Sequence, residues 1–156
     1  MNNILIPTDY QYDTLRAMEL TRWVSGNAPV HIILLSVSPL PDSITGYLAL
    51  SGDLQTNART RIMEDWEELL KLADHGVILT EHHQYGASPS IIGQVMERFS
   101  VNRIVVPHAF QTSENIVHRE ALSALRKSNC KITFLPKPVT ADQQLHREIE
   151  ELVGMN

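Results

Sequence analysis

Ile4-Leu5-Ile6 runs directly into Pro7, Thr8 and Asp9. Three consecutive aliphatic residues without alternation call for cover on both faces, the pattern of a central strand in a parallel sheet. Pro7 cannot donate to a ladder and ends the strand. Asp9 is thereby left just past the carboxyl end, the edge at which open α/β sheets bind ligands. The pattern returns at Arg103-Ile104-Val105-Val106-Pro107-His108. Side by side, two such strands would place Asp9 and His108 at the mouth of one crevice.

The rest of the chain alternates in the same sense. Leu15, Ala17, Met18, Leu20 and Val24 recur at helical spacing from about Tyr12 to Ser25, with Gly26-Asn27 as the closing cap. Val30 to Ser36 is a second buried strand, and His31 near its start is expected to face solvent. Val37 to Gly52 is broken by Pro39, Pro41, Gly46 and Gly52 but carries Tyr47, Leu48 and Leu50. It is either a lid or interaction loop, or a surface loop with apolar anchors. A long helix from Gln55 to His75 follows, with Ala58, Ile62, Trp66, Leu69, Leu70 and Ala73 as its stripe. Val77 to His83 turns polar toward its end, as an edge strand does. His82 and His83 are adjacent, so they face opposite sides of a strand and cannot share a metal; both are expected at the surface.

Ser88 and Pro89 set a helix start, as N-cap and first helical residue, ahead of the buried positions Ile92, Val95, Met96 and Phe99. After the strand at Ile104 comes a loop, then a helix from about Ser113 to Ser128 carrying Val117, Ala121, Ala124 and Leu125. Lys131 to Leu135 is the fifth strand, closed by Pro136 and Pro138, and a tail helix runs from about Ala141 to Val153. Five strands alternating with helices predict a doubly wound, open parallel five-stranded sheet with right-handed crossovers. Residues 1–138 read as one α/β unit and 139–156 as a helical extension.

Composition narrows the function classes. A net charge of −5 with histidine neutral, and no block of Lys or Arg, argues against nucleic acid or an anionic membrane as partner. No apolar run approaches the roughly 20 residues of a membrane span, and no leader segment is expected before the first strand. The single cysteine, Cys130, excludes an internal disulfide and fits a cytoplasmic location. Placed before an interior strand, it is expected to be a buried, inert thiol. No two histidines have the helical i,i+4 spacing of zinc enzymes, and no metal, cofactor or catalytic residue is expected.

Several stretches together resemble the universal stress protein family, over about residues 2 to 136. Ile4-Leu5-Ile6-Pro7-Thr8-Asp9 resembles that family's first strand and its following Asp, and Leu15-Arg16-Ala17-Met18-Glu19-Leu20 its first helix. Gly86-Ala87-Ser88-Pro89-Ser90-Ile91-Ile92 is similar to the family's Gly-x-Pro turn, with one more residue between Gly and Pro. Asn129-Cys130-Lys131-Ile132 stands where members often carry a Cys before the last strand. The resemblance implies an adenine-nucleotide-hydrolase-like sheet of order 3-2-1-4-5, dimers formed through the fifth strand, and, in some members, ATP between strands one and four. Nucleotide-binding members carry Gly-x-x-Gly, nine residues, then Gly-Ser or Gly-Thr after strand four. Glycines let phosphate oxygens reach backbone N–H groups with no Cβ in the way. Here the stretch is Pro107-His108-Ala109-Phe110, and no glycine lies between Gly93 and Gly154. Phe110 is expected to add bulk in the phosphate path.

The leading expectation is a non-enzymatic homodimer, joined through the fifth strand and the tail helix, that acts in stress response through a protein partner or a small ligand. Thr8, Asp9, Ser36, Val37 and His108 would line its crevice, with Arg119 as a further ligand-crevice candidate. The alternative for Asp9 is a cap or brace for the first helix, and for His108 a solvated loop position. In a second reading adenine nucleotide still binds, with His108, His118 or Arg119 replacing the missing amides. A third is a receiver-type phosphoacceptor domain, for which Asp9 and Lys137-Pro138 fit. Its nucleophile would be an aspartate at the end of strand three, where this chain has Glu81-His82-His83-Gln84.

Overall fold

The computed structural model describes residues 2–10, 12–26, 28–40, 64 and 76–137. The helix expected over Gln55 to His75, the stretch from Pro41 to Gly52 and the tail after Pro138 lie outside the described residues. Five strands, β1 (Asn2–Pro7), β2 (Val30–Ser38), β3 (Val77–Tyr85), β4 (Arg103–Val106) and β5 (Lys131–Phe134), form one sheet of order β3-β2-β1-β4-β5. Every pairing is parallel. Helices α1 (Tyr12–Ser25), α2 (Pro89–Arg98), α3 (His108–Gln111) and α4 (Ile116–Arg126) connect them. No helix among the described residues is long and apolar enough to cross a membrane.

The central strand is covered on both faces, as its lack of alternation requires. Leu5 packs with Ile33, Leu35, Ile104 and Val106 in the layer that holds Ile92 and Val95 of α2 and Ala121 and Leu125 of α4. Ile4 and Ile6 belong to the opposite layer, with Ile32, Leu34 and Leu15, Ala17 and Met18 of α1. Val24, assigned to the α1 stripe from its spacing, is exposed together with Trp23. Ser88 caps α2, its hydroxyl accepting from Ile91 N at 3.3 Å, and Pro89 opens the helix. The turn into α2 needs a glycine. Gly86 has φ +81°, and a Cβ there would lie 3.0 Å from Ile91 Cδ1 and 3.2 Å from Leu40 Cγ.

The sheet splits at its centre. β1 pairs with β2 through Pro7↔Leu35, but with β4 only through Leu5↔Ile104. Thr8 N donates to Leu35 O, toward β2, and Val106 O accepts from Leu135 N, toward β5. Backbone direction alternates along a strand, so Pro7 and Pro107 face each other across the gap. Neither has an N–H to give. The next two rungs of the β1–β4 ladder would need those donors, and the strand ends part into a crevice.

Pro7→Val supplies one of them. The new amide at position 7 should reach Val105 O and exchange at least about a hundredfold more slowly than a free amide, measured by hydrogen exchange. Free exchange there would show that something other than the missing donor holds the strands apart.

Candidate functional site

The turn that leaves β1 is bonded inward. Thr8, buried at 1% exposure, has its hydroxyl 2.6 Å from that of Thr14 on α1, and it accepts the Tyr10 N–H at 2.8 Å. Tyr10 holds φ +60°, unusual for a residue with a Cβ. Its ring is buried in the layer of Ile4, Ile6 and Leu34, and its hydroxyl donates to Glu81 Oε2 on β3 at 3.1 Å. Tyr10 thus reaches across the end of β2 to the outermost strand.

The stretch after β4, read as a loop, opens with the single turn α3. Its amino end meets the first turn of α1: Ala109 N donates to Asp13 Oδ2 at 2.7 Å. Asp13 is 9% exposed, and its Oδ1 is buried and receives no hydrogen bond. At the other end of α3, Gln111 Nε2 donates to Val106 O and Leu135 O at 3.0 and 2.9 Å. Phe110 does not obstruct the crevice as expected. Its ring is 2% exposed in the α2–α4 layer and stacks on His118 at 4.9 Å. The helical turn directs this apolar side chain inward, where burial favours it.

His118 is itself buried, with Nδ1 2.7 Å from Ser113 Oγ. Burial pushes its pKa below the ordinary 6.5, and the negative charge of Asp9 works in the opposite direction. The ring is therefore neutral at pH 7. His83 is also lowered, by burial first and then by repulsion from His82.

Thr8 and Asp9 follow β1, and His108 follows the neighbouring strand β4; Asp9 and His108 are half-buried. Ser36 is buried toward the α1 side, its hydroxyl 2.7 Å from His83 Nδ1. Val37, its neighbour in the strand, lies on the opposite face in the core, so the two cannot line one surface. Arg119 is exposed on α4 and donates through Nε to Ser113 O at 3.4 Å. His31 is half-buried rather than open to solvent. Its Nε2 lies 2.7 Å from Thr80 Oγ1 and its ring packs edge-on to Phe99, because the adjacent edge strand and the end of α2 cover it. His82 and His83 do take opposite faces, His82 against Phe99 and His83 against Ser36, and both are half-buried.

Sequence reasoning passed over Asp13, Tyr10 and Ser113. Asp13 left a usable signal: with Ala17 and Thr21 it lies on the buried stripe of α1, and a carboxylate on such a stripe demands a partner. Cys130 is half-buried, with its thiol 3.1 Å from Val101 O. Among the described residues no group of three or more His, Cys, Asp or Glu is placed to hold a metal.

No protein-family model matches the chain, and no curated protein matches it in sequence. Its likeness to solved structures is clear. A universal stress protein family member from Burkholderia pseudomallei gives a TM-score of 0.59 at 13% identity, over 87% of this chain and 96% of that one. Universal stress protein UspA from Lactobacillus plantarum gives 0.57 at 13%, over 86% and 97%. A universal stress protein family protein from Arabidopsis thaliana, solved with AMP bound, gives 0.52 at 17%, over 92% and 95%. The universal stress protein fold is therefore established, at identities that establish the fold alone.

The two histidine shifts have a common sign. Folded His83 and His118 bind protons less readily than the unfolded chain, so unfolding takes up protons below the ordinary value of 6.5. Their contribution to stability is complete above that value and is lost as pH falls below it. Urea midpoints should drop between about pH 7 and about pH 5, and His118→Gln should flatten part of that slope. An unchanged slope in the variant would show that His118 titrates alike in both states.

Proposed function

We propose that this protein is a non-enzymatic, cytoplasmic member of the universal stress protein class that acts in stress response through a protein partner or a small ligand, without tight binding of ATP. The observation that carries this reading is the bond from Ala109 N to Asp13. In the stretch where nucleotide-binding members of the family resembled offer glycine amides to phosphate, this chain gives a backbone donor to its own carboxylate. An incoming phosphate would have to displace that carboxylate and would meet its negative charge.

Two of the three side chains that could replace the glycine loop, His118 and Arg119, have other partners. His118 is buried, neutral and bonded to Ser113, and Arg119 is exposed beside the Ser113 carbonyl. Mg-ATP and AMP should therefore bind more weakly than about 1 mM by isothermal titration, equivalent to about −4 kcal/mol. A micromolar dissociation constant, or nucleotide carried through purification, would overturn the reading.

Assembly into a homodimer belongs to the same proposal. β5 is the sheet edge, four residues long, with Thr133 and Phe134 exposed. Since Leu135 N bonds to β4, alternation turns the N–H and C=O of Ile132 and Phe134 outward, ready to pair with another chain. Phe134 lies under the Arg126 guanidinium at 4.9 Å. Light scattering at micromolar concentration should give a dimer, weakened at least about tenfold by Phe134→Lys. A monomeric parent protein would refute this assembly.

A further inference from the structure

On the α1 side of the sheet, the described residues leave the β5 margin open. Side chains alternate along a strand. Val105 and Leu135 belong to the α1 layer, while Ile104 and Ile132 belong to the opposite one. Arg103, Lys131 and Thr133 therefore project to the α1 side, where Lys131 and Thr133 are exposed. Asp13 shows which flank of α1 borders this area, since it bonds to Ala109 just after β4. Leu20 and Val24 continue that flank at helical spacing, the first half-buried and the second 70% exposed. A shallow apolar strip thus runs between α1 and the β5 edge.

The end of the strip at the strand starts is positively charged. Arg103 and Lys131 are direct partners in the β4–β5 register, and like charges side by side on one face repel. Among the described residues no carboxylate pairs with either. The chain itself carries a complement. It leaves β5 on this side of the sheet, through Leu135, and residues 138–156 lie outside the described residues. There Leu145, Ile149 and Leu152 recur at helical spacing, with Glu148 beside the stripe. Asp142, Glu148, Glu150 and Glu151 stand against the single Arg147. We propose that residues 141–153 fold as a helix onto the strip of their own subunit, the stripe on Leu20, Val24 and Leu135 and Glu148 at the Arg103–Lys131 pair. The lengths agree. Helix from Ala141 to Glu148 descends about 10 Å, and Leu135 back to Lys131 spans about 13 Å, a difference that the Glu and Lys side chains bridge. The short link at 138–140 holds the segment at high effective concentration. This contact is independent of what the crevice binds.

The test uses the full chain labelled with ¹³C and ¹⁵N. Nuclear Overhauser contacts should join the methyls of Leu145, Ile149 and Leu152 to those of Leu20, Val24 and Leu135. Amides from 145 to 152 should exchange at least about tenfold more slowly than free amides. Lys131→Glu should cut that protection at least about threefold, and adding Glu148→Lys should restore it. If the variants do not fold, the contacts and protection in the parent protein decide. Free exchange from 145 to 152, contacts to a different surface, or protection unchanged in folded Lys131→Glu would each overturn the proposal. A mixture of labelled and unlabelled chains tests the other occupant: contacts found only between copies would give the strip to the partner's tail and overturn it too.

Discussion

Two absent hydrogen atoms organise the functional end of this protein. Pro7 and Pro107 occupy the backbone positions that face each other where β1 and β4 would continue their ladder, and neither carries an N–H. A doubly wound sheet changes direction between these strands, and ligands in such folds bind at that switch point. Here the opening does not depend on a bulky residue wedged between strands. It arises because each strand keeps its outer partner, β2 or β5, and loses its inner one.

A parted sheet leaves polar groups to be satisfied, and the chain satisfies most of them itself. The Thr8 and Thr14 hydroxyls take each other and the Tyr10 amide, Asp13 takes the Ala109 amide, and Gln111 takes the carbonyls of Val106 and Leu135. Buried polar groups are tolerable when bonded in this way. One backbone donor after β4, the Ala109 amide, is thus spent internally.

The fold was legible because it depends on patterns that neighbouring residues enforce. The unalternated Ile4-Leu5-Ile6 demanded two covered faces, and the structure covers both. Ser88 and Pro89 marked the start of α2, and the polar drift of β3 marked it as an edge. The site was less legible because its residues meet through space. The partners Asp13 and Ala109 are 96 positions apart, and Ser36 and His83 are 47 apart. Strand parity could have separated Ser36 from Val37, since neighbours in a strand face opposite ways. The helical turn α3 could not be read from four residues, and with it went the true place of Phe110.

The long reach of Tyr10 gives the sheet a line of communication. Its hydroxyl grips Glu81 on the outermost strand, while its amide is held by the Thr8 hydroxyl at the crevice. The left-handed backbone at φ +60° keeps the ring aimed across β2. Tyr10 thus ties Glu81 of β3 to the turn that follows β1. The two residues are 71 positions apart in the chain, yet one side chain spans β2 and fastens the outer strand of the sheet to the turn at its centre.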